Sequence, residues 1–552
     1  MRICLYLDRS RVLHWHEWLA EALAALPGCT AQVAFAPESR PLPWSCALLF
    51  ELERLVYRLK GRNAIDPASA PVPNGIATAG DDATAFDIVV DLAGGDTPLP
   101  PGKRILYPRF NGIAGEIGLI AALADKEPLL VELHDSTHPR EPWQARPATT
   151  DRNVFLQSLD NVLACTVRLI VKAIEQPTPP VPRLAPSVPR LDRPSRSALP
   201  PAPRAVTTAL GAAAAGALIG KMGRLLGNLA SGGKSWAVGW RFTRSRSLLD
   251  QRDAAFAIIS DDGRRYYADP FPFRHQGRNF VFVEEFPYAT GRGCISVLEI
   301  GESGSIGPPR PVLEEPHHLS YPFVFELDGE IWMLPEAGES GGIDVYRAEQ
   351  FPYKWKREAR VISGIEAYDS TLLRHRGRLW LFVCERAWKS SSWDMLSLFH
   401  ADSLTGDWLP HALNPVLLDA TLSRPGGAMF AHNGQTIRPV QDCSQIYGGA
   451  IELCRLDTLG PQQFSQSPIG RIHAGTWGCH TFNSDGGIEL IDVFGRVRGV
   501  SDVSAFFMPT TQKDDVELGS AVGGPAHAKP THASPGSSVG DKEVQKKRAA
   551  GD

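Results

Sequence analysis

No two of the nine cysteines form a Cys-x-x-Cys pair, so a zinc site is not indicated. Their odd number and wide spacing (Cys4, Cys29, Cys46, Cys165, Cys294, Cys384, Cys443, Cys454, Cys479) suit reduced thiols in a cytoplasm. The chain has no apolar run of the roughly 18 residues a membrane-spanning helix needs. The start, MRICLYLDRSRVLHW, lacks the long apolar region of a secretory signal and reads as a first strand. No Gly-x-Gly-x-x-Gly follows that strand, so no dinucleotide cofactor is expected. His14 and His16 fall on different faces of a helix, which argues against a metal there. Charge of one sign is not in excess. The formal net charge of −4 implies no broad nucleic-acid or anionic-membrane attraction. No cofactor and no metal is expected.

What is present is a soluble globular composition, 43% hydrophobic and 21% charged, on 552 residues. That length exceeds one ordinary core and predicts several domains. Residues 1–178 read as α/β. Short apolar strands (Ile3–Leu7, Ala31–Phe35, Phe86–Leu92, Lys103–Tyr107) alternate with helical patterns (His14–Leu26, Leu48–Leu59, Gly115–Ala124, Asn153–Ala173). This alternation predicts a doubly wound sheet. Residues 179–206 are a Pro-rich linker. Residues 207–232 read as an Ala/Leu-rich helix. Its stretch 207–230 suits a helix docked on the protein's own surface, or one making peripheral contact with a membrane. Residues 233–505 hold a repeat, and residues 506–552 read as a disordered tail.

The repeat can be counted. Its units start at Asp269-Pro270, Tyr321-Pro322, Asp369-Ser370, Arg424-Pro425 and His480-Thr481, in steps of 52, 48, 55 and 56 residues. In the first three a glycine stands eight positions on (Gly277, Gly329, Gly377), followed by an aromatic-rich strand. In the fourth and fifth the turn reads as looser. Five such units predict a five-bladed β-propeller. The fifth is short of strands, and SWAVGWRF (235–242) with Ala254–Ser260 is expected to complete it, closing the ring and removing exposed edges.

In a propeller the inner strands converge on the axis, so Asp269, Tyr321, Asp369, Arg424 and His480 should form one ring at a channel mouth. Glu284 and Glu336, each 15 positions past its unit's start, should stand behind it. Glu285 and Glu385, one position further, should point the other way unless a bulge intervenes. Arg438, Gln441 and Asp442 occupy the comparable place in the fourth unit. Carboxylates, arginines, a histidine and aromatics in one cavity suit a sugar. Arginine also suits a phosphate or an acidic sugar. Trp332, Trp380 and Phe282 read as inter-blade core.

Three resemblances follow. FDIVV and its strand order resemble the N-terminal domain of formyltransferases. That family uses Asn-x-His-Pro, where this chain has His134-Asp135-Ser136-Thr137-His138-Pro139. Tyr-Ala-Asp-Pro with its hairpin resembles the first blade of family 43 glycoside hydrolases. By that resemblance Asp269 is the general base, Asp369 the second Asp, and Glu336 or Glu385 the general acid. More closely, ADPF, SYPFVFELDGEIWMLPEA, YDSTLLRHRGRLWLF, HADSLTGDW, RPGGAMF and RPVQDC together resemble the N-terminal propeller module of glucosamine inositolphosphorylceramide transferases and bacterial relatives, over roughly Trp236 to Arg496. The resemblance implies work on surface glycans or glycolipids. The expected function is carboxylate-assisted glycosyl transfer or cleavage, on a sugar or nucleotide-sugar substrate that is free or lipid-linked. The alternatives are a non-catalytic glycan-binding module, or N-formylation of an amino sugar by the first domain. The expected place is the bacterial cytoplasm, with peripheral contact at the inner membrane through 207–230.

Overall fold

The computed structural model describes residues 1–176, 178 and 235–510, except 40, 74–75, 80–84, 95–97, 125–127, 150–153, 244–245, 475–477, 486 and 496–499. The linker, the 207–232 stretch and the tail beyond Thr510 lie outside the described residues.

The N-terminal domain is an α/β unit. Its strands are β1 (Arg2–Leu7), β2 (Thr30–Phe35), β3 (Ala77–Thr78), β4 (Phe86–Asp91), β5 (Gly102–Phe110), β6 (Ile113–Ala114), β7 (Val131–Asp135) and β8 (Trp143–Ala145). They lie in the order β3-β2-β1-β4-β5-β7-β8, with β6 beside β5. β1 to β5 are parallel, whereas β7 and β8 run antiparallel. The helices are α1 (His14–Ala24), α2 (Trp44–Tyr57), α3 (Gly115–Ala124) and α4 (Phe155–Glu175).

Strand alternation divides the core. Ile3, Leu5 and Leu7 of β1 pack with residues of all four helices. Cys4 and Tyr6 pack with Phe86, Val89 and Ala93 on the other face. Among the described residues the helices therefore cover one face, and the expected doubly wound arrangement is corrected. A right-handed crossover from β4 to β5 would carry a helix over the second face. In the β4–β5 connection the described residues, 92–94 and 98–101, are not helical, and Leu99 joins the cluster there.

The repeat folds as blades of a β-propeller. Blade I is a four-stranded sheet of 265–275, 278–287, 294–300 and 310–313. Blade II contains 320–327, 330–336, 342–350 and 354–363. Blade III contains 366–375, 378–386, 395–401 and the short strands 409–410 and 417–418. Blades IV and V form one nine-stranded sheet. Strand 235–242 pairs with 488–495, and 253–258 pairs with 235–242, so the segments before the first repeat complete the fifth blade as expected. One strand was not expected: Asp502–Pro509 pairs with 463–474 of blade IV and with 253–258 of blade V. It runs past residue 505, where the tail was predicted to begin.

The hairpin turns explain the glycine spacing. Gln276-Gly277, Asp328-Gly329 and Arg376-Gly377 all have positive φ, at 49° and 78°, 53° and 82°, and 51° and 78°. Two such residues form the type I′ turn, whose twist matches the flanking strands. Asn433-Gly434 adopts the same turn (49°, 72°), closed by the His432–Gln435 pair. The fourth turn is thus as tight as the first three. Phe282 and Trp380 are buried between blades, and Trp332 packs partly buried against the core of blades II and III.

The two domains are packed together. Met395 and Leu418 of blade III join the helix cluster of the α/β domain. Ala148 N–H donates to Asp394 Oδ2 (2.8 Å), and Arg146 Nη1 donates to Asp419 (3.2 Å). All nine cysteines are free. Among the described residues no helix is long and apolar enough to cross a membrane.

Candidate functional site

Each of the first three blades opens on a β-bulge. The register shifts between Ala268 and Phe271, Ser320 and Phe323, and Tyr368 and Thr371. Within each shift one residue is left-handed: Asp269 (φ 47°), Tyr321 (44°) and Asp369 (50°). Such backbone is costly for non-glycine residues and tends to occur where a side chain must be re-aimed. Here it brings the three residues together. Tyr321 N–H donates to Asp269 Oδ2 (3.2 Å), and Tyr321 Oη meets Thr371 Oγ1 (2.9 Å).

Blades IV and V complete the ring. Arg424 Nε donates to Asp369 Oδ2 (2.5 Å), and its Nη2 reaches Glu336 Oε2 (3.4 Å). Gln441 Nε2 donates to the same Asp369 oxygen (2.6 Å). Thr481 Oγ1 donates to Asp269 Oδ1 (2.6 Å), and His480 Nδ1 lies 3.6 Å from that oxygen. Beneath them Asp492 accepts from the backbone N–H of His480 (2.8 Å), Thr481 (2.9 Å) and Asp269 (3.2 Å), and from His480 Nδ1.

Burial governs the protonation of this cluster. Asp269 is pushed up to about 6, chiefly by loss of water; His480 opposes the rise, and Asp369 and Asp492 add to it. Glu284 and Glu336 are held well above the usual carboxylate range, again mainly by burial. Asp269 adds to the effect at Glu284 and Asp369 at Glu336. Burial alone would lower His480, but Asp492 and Asp269 raise it to about 9. Glu284 has His318 Nε2 at 3.4 Å.

Half-buried aromatics pack against this buried cluster. Trp236 stacks on His480 (3.9 Å between centroids, 13°), and Trp393 stacks on Tyr447 (5.4 Å). The Arg424 guanidinium lies 5.2 Å from the Tyr447 ring and 5.5 Å from that of Tyr368. Asp269, His480 and Asp492 bring ligand-type atoms within 4.8 Å of one another, a geometry a metal ion can use.

Three expected site residues lie elsewhere. Glu385 bonds Ser397 on the next strand of its own blade, as Glu285 bonds Ser296 in blade I. The extra residue of each bulge lies in the first strand of the hairpin, so the alternation of the second strand holds and these side chains face away from the ring. Asp442 pairs with Arg471 two strands away in the same sheet. Arg438 is buried against the Phe382 ring and donates to the Leu422 carbonyl and to Gln466 Oε1 (both 3.0 Å). Burial lowers it to about 10. It braces the boundary of blades III and IV. The stretch 134–139 is the end of β7 and the turn after it: Asp135 accepts from Arg104 (3.0 Å) and from Thr137 N–H (2.9 Å).

Sequence reasoning missed Asp492, Thr481, Tyr447, Trp393, Trp236 and Tyr368. Tyr368 and Thr481 adjoin counted unit starts and were within reach of the repeat. Tyr447 and Trp393 sit on loops between strands, where the repeat carries no positional signal.

Comparison with known proteins agrees with part of this picture. Residues 255–480 match the family described as glucosamine inositolphosphorylceramide transferase 1, N-terminal. Glucosamine inositolphosphorylceramide transferase 1 of Arabidopsis thaliana is 32% identical over 208 residues, covering 37% of this chain and 27% of that protein. The protein of the same name from Oryza sativa subsp. japonica is 29% identical over 270 residues, covering 45% and 36%. The chain thus spans about a third of the length of these relatives or less. Among solved structures, a Cellvibrio cellulosa α-L-arabinanase complexed with arabinohexaose aligns at TM-score 0.29, with 14% identity, over 38% of this chain and 78% of that one. A family 43 β-xylosidase/α-arabinofuranosidase from a compost metagenome aligns at 0.31, with 15% identity, over 45% and 92%. The resemblance carried by the run from ADPF to RPVQDC is therefore to the N-terminal region of the glucosamine inositolphosphorylceramide transferases.

Proposed function

We propose that the chain acts on a sugar at the charged mouth of the propeller, by carboxylate-assisted glycosyl transfer or cleavage in the making of a glycolipid or surface glycan. One observation carries this reading: a single buried cluster holds carboxyl groups of different proton affinity. Glu336 sits well above the usual range, the condition for a carboxylic acid that keeps its proton and delivers it to a leaving oxygen. Asp269, near 6, can accept a proton from water or from a sugar hydroxyl. Arg424 offsets the charge of Asp369 and can face an oxyanion. Trp236, Tyr447 and Trp393 offer ring faces for a sugar. The name of the relatives joins glucosamine to an inositolphosphoryl lipid, which supports a sugar on a lipid carrier as the substrate class.

The test is Asp269→Asn, assayed by mass spectrometry on inositolphosphoryl lipids with sugar donors and, separately, for sugar binding. Turnover should be abolished and binding spared. Unchanged turnover would remove Asp269 from the chemistry.

A second reading, a glycan-binding module without turnover, is favoured by the partners already in place. Both Asp269 oxygens and Oδ2 of Asp369 accept bonds from the protein itself. Saturable sugar binding with no turnover in the unaltered chain would select it.

A further inference from the structure

Beside the charged mouth lies a cleft of about 500 Å³, walled by both domains. The α/β domain supplies Arg58, Lys60 and Asn161, and blade III supplies Arg386, Trp388 and Lys389. The same blade III segment reaches the carboxylate cluster. Ser392 accepts from Arg424 through its carbonyl (3.2 Å) and its hydroxyl (3.1 Å). Trp393 stacks on Tyr447, which faces Arg424. Cleft and cluster share a wall.

The cleft is cationic. Among its lining residues Asp160 is the one carboxylate, and its oxygens accept from Asn63 Nδ2 (2.8 Å) and Ala64 N–H (2.6 Å). Arg386 pairs with Glu366 (2.7 Å), and Lys389 donates to the Arg62 carbonyl and lies 3.8 Å from Asp160 Oδ2. Arg58 and Lys60 are exposed and have no carboxylate partner among the described residues. Two uncommitted cations and two half-committed ones in a cleft of ligand size call for an anion.

We propose that this cleft binds the phosphoryl group of the substrate whose sugar the carboxylate cluster holds, and that the α/β domain exists in part to form its second wall. The proposal rests on the sugar reading above for the identity of that substrate, but the phosphoryl site stands on its own cations. The phosphoryl group has two sources, a phospholipid headgroup or a soluble nucleotide.

The experiment is calorimetric titration of the full chain with inorganic pyrophosphate. Saturable binding is expected, weakened about tenfold or more in Arg58→Gln/Lys60→Gln with an unchanged thermal midpoint. Displacement of pyrophosphate by a nucleoside diphosphate assigns the soluble source, and displacement by phosphatidylinositol vesicles assigns the headgroup; each supports the site. Absence of saturable binding overturns it, as does equal binding by the double variant. So does a fall in thermal midpoint without loss of binding, which would give these cations to the C-terminus of α2 as a dipole partner. Failure of the sugar reading leaves a different trace: pyrophosphate binds, and no sugar does.

Discussion

Arg424 donates to Asp369 across the boundary of blades III and IV, and both side chains are almost wholly buried, at 4% and 2% exposure. A buried pair of this kind is stabilising mainly against the loss of one partner. Arg424→Met leaves the Asp369 carboxylate with Gln441 as its side-chain donor and should cost about 3–5 kcal/mol in denaturant unfolding. Adding Asp369→Asn to it should recover part of that loss, because no charge then remains unpaired. Equal stability of the single and double variants would show that the pair does not act as a unit.

Glu336 and Glu385 were equivalent candidates for the proton donor by sequence. In the structure Glu336 meets Arg424, whereas Glu385 meets Ser397 away from the ring. Glu336→Gln should therefore lower turnover by about 10² or more, the usual scale for a lost general acid. Glu385→Gln should leave turnover within about threefold of the unaltered chain, since it touches no reacting group. The reverse ranking would place the acid on the other face of the blade.

The repeat made much of this legible. An interval near 50 residues, a glycine at a fixed offset and an aromatic strand after it locate the blade hairpins and the ring at their base. The pairing of 235–242 with the fifth blade was likewise readable, from a strand deficit at one end and spare strands at the other. Arg438 and Asp442 show the limit. In the fourth blade the counted start at Arg424 and the paired inner strand, which begins only at Phe430, are separated, so offsets borrowed from blades I to III no longer predict facing. The bulges at Asp269, Tyr321 and Asp369 were invisible because the position holds Asp, Tyr and Asp, none of them the glycine that signals a positive φ. The helices on one sheet face were misjudged because alternation of strands and helices does not say which face each helix covers.

Asp394 sits at the domain junction, 1% exposed, with Ala148 N–H as donor and Asp419, itself paired with Arg146, nearby. Burial, with Asp419 adding to it, raises its carboxyl to about 7. An unfolded Asp titrates near 3.9. Between these values the folded state binds more protons than the unfolded one, so stability falls as pH rises from about 4 to about 7. Asp394→Asn removes that penalty while keeping an acceptor for Ala148. Relative to the unaltered chain, the variant should gain on the order of 2–4 kcal/mol at pH 8 and little at pH 4. Denaturant unfolding at both values measures this. A gain of the same size at both would mean that the effect is packing and not proton linkage.

The strand Asp502–Pro509 joins blades IV and V by pairing with 463–474 on one side and 253–258 on the other. Its removal uncovers two strand edges at once, each with a row of unsatisfied backbone groups that can template pairing with another chain. Val503, Ala505 and Phe507 also leave the core that they share with Phe256 and Ile472. A chain stopped at Val500 should therefore melt well below one stopped at Thr510 and should aggregate as it does so. Placing the stop at Ala505 should give intermediate behaviour, because the partners of 254–257 (502–505) are kept whereas those of 470–473 (506–509) are lost. Scattering during thermal melts distinguishes the three. Identical melting of the chains stopped at Val500 and Thr510 would mean that the two blades hold their shape without the shared strand.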